Sequence, residues 1–212
     1  CPNCPEAAEK LEELHLASPG RVFVIEWHTV SPLPLYDARW RARESYYGGG
    51  SSVGWPATVF QGGAGDNPVL VVGSDAADLQ EYEDRTAAAL ERCGNDCPLA
   101  LVVDGAIGAT TASATVKCLW RGGALPADLR LRAVLIENHV QAPGNQPYFS
   151  FVARAIEEWT SEGPLAFAAP GDVVERTASL PVDPTWDVDG LHVVAFVQSD
   201  ATREILAVGG LP

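Results

Sequence analysis

Apolar positions recur along this chain of 212 residues with two periods, and the change between them falls near Cys93. Before it, helical and strand signals alternate. Residues 5–16 predict a helix, with Ala7, Leu11 and Leu14 on one face and Glu6, Glu9, Glu12 and Glu13 mostly on the other. Ser18-Pro19-Gly20 stops it. Residues 21–29 (RVFVIEWHT) predict a strand, with Phe23, Ile25 and Trp27 sharing one face. A proline-rich turn leads to a second helix over 36–47, and the Gly-Ser run 48–52 reads as a loop. Two short strands follow at 55–60 and 69–72. Ser74 then caps a helix to Arg92 that turns Leu79, Tyr82, Thr86 and Leu90 inward.

Beyond Cys97 the period drops to two. Seven β-like runs (98–104, 111–120, 129–138, 147–156, 173–180, 191–198 and 202–208) are separated by Gly, Pro and Asp turns. This is the pattern of an all-β sandwich. Leu131, Ala133 and Leu135 alternate with Arg130 and Arg132, which predicts one dry face and one wet face. Residues 155–161 read as a possible helical turn. The expected organisation is an α/β unit over 1–92, a linker at 93–97 and a β-sandwich over 98–212.

Composition narrows the function classes. Apolar residues make up 47% and charged residues 20%, an ordinary globular balance. The net charge of −14 would repel phosphate backbones and anionic lipid, so nucleic acid is not an expected partner. No apolar run approaches the ~20 residues of a membrane helix. There is no methionine, and the first of five cysteines is residue 1. Removal of an export signal accounts for this and places the chain in the periplasm, on the outer-membrane surface or outside the cell. Cys1 as a lipid-acceptor cysteine, or a fragment whose preceding residues were lost, are the other two readings.

The chemistry-bearing motif is Cys1-Pro2-Asn3-Cys4-Pro5, a CxxC that opens an amphipathic helix. Such a pair closes a small reversible disulfide. The helix N-terminus favours a thiolate, so Cys1 is the expected nucleophile and Cys4 the resolving thiol. Zinc uses the same spacing, but it needs further ligands from Cys93, Cys97, His15, His28, His139 or His192, and no second CxxC or HxxxH occurs. No metal and no cofactor is expected.

The order CxxC–helix–strand–helix, then Trp55-Pro56-Ala57-Thr58 opening a strand hairpin, then a helix, resembles the thioredoxin superfamily. That resemblance implies a cis-proline at Pro56 packed against the CxxC, and a substrate groove lined by Trp55 and Pro56. The whole chain resembles a narrower group of exported bacterial proteins related to outer-membrane proteins. These join a thioredoxin-like half to an immunoglobulin-like half. The resemblance rests on CPNCP, Glu26-Trp27-His28-Thr29, Asp37…Arg43…Tyr46-Tyr47, Pro56-Ala57-Thr58, Leu135-Ile136-Glu137, Arg154, Pro170-Gly171 and Val194-Ala195-Phe196-Val197-Gln198. One departure stands out: the family has a central strand before the CxxC, and this sequence starts at the first cysteine. Either that strand is lost from a fragment or a partner's strand fills its slot. Glu26 is the nearest candidate for the acid that assists proton transfer in the family.

If the first two β runs form a hairpin centred near Ile107-Gly108, Cys97 opposes Cys118, and a structural Cys97–Cys118 disulfide is expected. Cys93 pairing with either cysteine is the alternative. Otherwise Cys93 is a leftover thiol, buried or intermolecular. Asp183, Asp187 and Asp189 invite a calcium reading, but their spacing fits a turn better. Two functions remain. One is an exported thiol–disulfide oxidoreductase acting on a protein thiol partner through Cys1 and Cys4. The other is a non-catalytic structural or binding subunit of a surface assembly, with Cys1–Cys4 a plain disulfide and neighbours held through a donated strand or Cys93.

Overall fold

Three helices and a short hairpin, all in the first half, precede seven consecutive strands. The computed structural model describes residues 1, 3–29, 35–47, 54–62, 70–92, 97–141 and 148–211. In chain order these form α1 (Cys4–Ala17), α2 (Ala38–Tyr46), β1 (Ala57–Val59), β2 (Leu70–Val72) and α3 (Ala76–Arg92). The strands β3 (Leu99–Ile107), β4 (Thr111–Trp120), β5 (Leu129–Glu137), β6 (Val152–Glu157), β7 (Val173–Pro181), β8 (Leu191–Ser199) and β9 (Ile205–Leu211) follow. Among the described residues the protein is mostly β, and the sheets are antiparallel. The predicted loop at 48–52 and Cys93 to Asp96 of the predicted linker lie outside the described residues.

Strands β3-β4-β7 form one sheet and β6-β5-β8-β9 a second. Alternate residues of each point inward: Ala114, Val116 and Cys118 from β4 meet Leu131, Ala133 and Leu135 from β5 and Val193, Ala195 and Val197 from β8 in one core. Valine and alanine dominate because short or β-branched side chains suit a pleated, two-layer interior.

The other face of the four-stranded sheet is not wet. Arg132 is only 6% exposed, and Val134 and Ile136 beside it are buried. The first half covers this face, and Val24, Trp40 and Phe151 pack there with Val134, Ile136, Val194 and Phe196. Period-2 alternation shows which residues share a face, but not what lies over it.

The strand expected over residues 21–29 is not formed: among the described residues this segment makes a single isolated parallel bridge, between Glu26 and Val152. The Glu26 N–H donates to the Phe151 carbonyl at 2.8 Å, and the Ala153 N–H donates back to the Glu26 carbonyl at 3.0 Å. A polar network ties α2 to the same sheet. The Arg43 guanidinium donates to Glu158 Oε1 and Gln198 Oε1, each at 3.3 Å. Arg132 donates to Glu158 at 3.0 Å, Gln198 at 3.3 Å and Asp200 at 2.6 Å. Arg43 is therefore balanced by the β half rather than by a carboxylate of its own helix. The remaining core is small: Ala7, Val71 and Tyr82 join α1, β2 and α3.

Three further expectations change. The β3–β4 turn centres on Ala109-Thr110 and is closed by the Gly108 N–H donating to the Thr111 carbonyl at 2.9 Å. This shift in the turn sets Leu101, not Cys97, opposite Cys118. Cys118 is a free thiol buried in the two-sheet core, whereas Cys97 is disulfide-bonded, so the Cys97–Cys118 bridge is wrong. Cys93 lies outside the described residues. The cap of α3 falls one residue later than predicted: Asp75 Oδ1 accepts from the N–H groups of Ala77 and Asp78, while Ser74 donates to Glu6 at 3.1 Å. Finally, β6 continues as a strand to Glu157, and the helical signal at 155–161 reduces to a 3-10 turn at Thr160–Glu162.

Candidate functional site

Cys4 is the first residue of α1 and Cys1 lies just before it, with the Cys4 N–H directed at the Cys1 carbonyl at 3.4 Å. Proline in the first turn sacrifices no helical hydrogen bond. The two sulfurs are bonded at 2.06 Å, with Cα atoms 5.5 Å apart. Cys1 is exposed and Cys4 half-buried, so an incoming thiol reaches the Cys1 sulfur more readily. Asn3 gives the helix no side-chain cap. The partial positive charge of the first-turn N–H groups therefore lies beside the pair, where it favours a thiolate once the bond is reduced.

The Trp55-Pro56 bond is cis. It leads into β1, whose backbone is held against β2 by Gly73 N–H donating to the Pro56 carbonyl at 2.9 Å. The Thr58 hydroxyl donates to the Tyr82 hydroxyl at 2.9 Å, which donates to the Gly73 carbonyl at 3.0 Å, clamping the hairpin to α3. Burial pushes the Tyr82 phenol above its ordinary value, which keeps it a neutral donor. At the far end Gln61 accepts from the Ile205 N–H at 2.6 Å. Gly62 follows with φ +68°, and a Cβ there would stand 2.4 Å from the Arg203 carbonyl oxygen, so glycine is required.

Cys1, Cys4, Trp55 and Pro56 line one cavity of about 1000 Å3, together with residues 22–29, β1 and side chains of α1, α3, β8 and β9. Trp55 is 53% exposed at this site, an unusual position for a large apolar ring. Glu26 and His28 also line the cavity, 3.4 Å apart between Oε2 and Nε2.

The other candidates fall elsewhere. Cys118 is held by its apolar surroundings, and burial pushes its thiol up to about 12, so it does not act as a nucleophile. Asp183 accepts from the Thr185 N–H and hydroxyl, and Asp187 accepts from the Asp189 N–H. Both act as turn-closing side chains. Burial lowers His192, with His15 and His139 adding to the effect. Among the described residues no three His, Cys, Asp or Glu side chains gather as a metal site. No helix among them is long and apolar enough to cross a membrane. Sequence reasoning missed the Arg43–Gln198–Arg132 network, whose members lie up to 155 positions apart.

No protein-family model and no curated protein matches the chain. Among solved structures it is similar in fold to HBP35 of Porphyromonas gingivalis, with a TM-score of 0.75 at 16% identity, covering all of this chain and 71% of that one. A domain of the outer membrane lipoprotein Omp28 from Porphyromonas gingivalis aligns over 55% of this chain and 88% of that one, with a TM-score of 0.36 and 15% identity. β-Glucosidase 3B from Thermotoga neapolitana aligns over 55% of this chain and 16% of that one, with a TM-score of 0.31 and 15% identity.

Proposed function

We propose that the chain is an exported thiol–disulfide exchange protein, with a thioredoxin-like unit over 1–92 mounted on an immunoglobulin-like sandwich over 98–212. The observation that carries this reading is an exposed Cys1 bonded to a half-buried Cys4 at a helix start, in a cavity shared with Pro56 and an exposed Trp55. Cysteines bonded as disulfides fit an oxidising compartment outside the cytoplasm.

The chemistry uses only these sulfurs. A thiolate of a partner dithiol attacks Cys1 Sγ, forming a mixed disulfide and releasing Cys4 as a thiolate. The partner's second thiolate then attacks its own sulfur in that mixed disulfide. Cys1 leaves as a thiolate, the partner is oxidised by two electrons and the Cys1/Cys4 pair is reduced by two. Run in reverse, reduced Cys1 attacks a partner disulfide and Cys4 resolves the intermediate. Trp55 and Pro56 form the wall against which the partner's extended backbone lies.

The test is to trap the intermediate. In a Cys4→Ser variant Cys1 has no resolving partner, so reaction with a peptide disulfide should accumulate a mixed disulfide at Cys1, seen by mass spectrometry. A Cys1→Ser variant should trap none. Absence of any adduct in Cys4→Ser would assign Cys1–Cys4 to the structural role instead.

A further inference from the structure

The chain leaving β1 is seated on the β half. Gln61 accepts from the Ile205 N–H, and Gly62 lies against the turn between β8 and β9. A Cβ at Gly62 would stand 2.4 Å from the Arg203 carbonyl oxygen and 2.6 Å from Gln198 Nε2. Gln61 and Arg203 have φ of +50° and +62°, conformations that an L-residue keeps only where its surroundings hold it. What holds them is Gln198, 0% exposed on β8. The β8–β9 register shifts at Val197/Gln198, the kind of irregularity that re-aims a side chain. Gln198 Oε1 accepts from Arg43 Nη2 and Arg132 Nη1, each at 3.3 Å. Its Nε2 donates to the Arg203 carbonyl at 2.6 Å and to the Tyr47 hydroxyl at 3.2 Å. Turning the amide over would set its NH2 group against two guanidinium groups. The two arginines therefore dictate that Nε2 faces Arg203.

We infer that Gln198 is a positioning residue for the exchange site: through Arg203 and residues 61–62 it sets where β1, and with it Trp55 and Pro56, stands relative to Cys1. The inference rests on the exchange reading above and names the part the β half plays in it. Midway along β1 the Thr58 hydroxyl bond to Tyr82 ties the strand to α3. Tied there alone, the strand is free to tilt about Thr58, and Pro56 moves at one end as Gln61 moves at the other. The seat of residues 61–62 on the β8–β9 turn removes that tilt. Because Arg43 and Arg132 aim the Gln198 amide, the polar joint between the halves and the wall beside the disulfide are one bonded unit. A partner's extended backbone then meets a wall already in place, which lowers the ordering cost of binding.

Gln198→Glu separates the two arms of the amide. The carboxylate keeps acceptors for Arg43 and Arg132, whose charges hold it ionised, but it has no N–H for the Arg203 carbonyl. The assay uses the full chain in a Cys4→Ser background and an extended peptide whose single cysteine is disulfide-bonded to thionitrobenzoate. The Cys1 thiolate attacks the peptide sulfur, the peptide's own disulfide breaks, and thionitrobenzoate leaves as a coloured thiolate with the electron pair. With Gln198→Glu the peptide concentration giving half-maximal rate should rise about fivefold or more, while the rate at saturation is kept. The indole N–H resonance of Trp55 should move as well, with hydrogen exchange in β4, β5 and β8 still slow. Gly62→Ala pushes the end of β1 off the turn and leaves Gln198 itself in place, so it should give the same split. The inference is overturned if both variants keep the original half-maximal concentration and Trp55 resonance, or if the saturating rate falls instead. A Cys4→Ser chain with Gln198 intact that releases no thionitrobenzoate at any peptide concentration overturns the exchange reading, and this inference with it.

Discussion

The two halves of the molecule hold themselves together differently. Beyond Cys97 every strand is paired over six to ten residues, and two sheets share an interior of valine, alanine and leucine. Before Arg92 the described residues hold two strands of three residues, and among them a small separate core of Ala7, Val71 and Tyr82 with partly buried neighbours. The helical half depends on the outer face of the β half, through Trp40, Val24 and the Arg43 network. The β half thus has a large core of its own, while the helical half has a small one, leans on the β half and carries the Cys1–Cys4 disulfide.

Trp40→Ala should break that dependence most. Trp40 is 1% exposed and packs at a tilt against Trp27, with ring centroids 4.9 Å apart. Truncation should cost about 3–5 kcal/mol. Hydrogen exchange should speed up across residues 22–28 and α2 while β4, β5 and β8 keep their protection. A uniform loss of protection would mean that the halves unfold as one.

A smaller effect is expected from Arg132→Met. Removing this guanidinium leaves Asp200, Glu158 and Gln198 without their shared donor. Because both carboxylates are more than a third exposed, the loss should be about 2 kcal/mol in urea unfolding rather than the full cost of breaking a buried pair. An unchanged midpoint would show that the Arg132 bonds add nothing to stability and leave the polar joint to Arg43 and Tyr46.

The smallest change is a dependence on pH. Burial is the largest single influence on the Asp200 carboxyl and raises it, but the Arg132 hydrogen bond and charge, joined by Tyr46 and Arg130, together outweigh burial and hold the group below its ordinary value. A depressed folded value stabilises above the unfolded carboxylate pKa of about 3.9, and that contribution is lost as pH falls through the folded value. The urea midpoint should therefore drop on acidification below about pH 4, and Asp200→Asn should flatten part of that drop. Identical acid profiles for the two proteins would remove Asp200 from the joint.

Sequence patterning exposed the β half well because its alternation is local: 111–120 and 173–180 match β4 and β7 to within a residue. It failed where distance along the chain matters. Arg132 looked solvated because nothing near it in sequence announces α2. Cys118 was misplaced because a turn at Ala109-Thr110 carries no Asn-Gly signal to fix its centre. At the site, the motif named Cys1 and Cys4 and the family resemblance added Trp55 and Pro56; all four line one cavity.

The reduction potential of the Cys1/Cys4 pair tests the central claim most directly, measured by equilibrating the chain with glutathione buffers and counting reduced thiols at Cys1 and Cys4 by mass spectrometry. An exchange-active pair should titrate between about −120 and −270 mV, the span of known disulfide oxidoreductases. A pair that stays oxidised below about −300 mV behaves as a structural disulfide and contradicts the account.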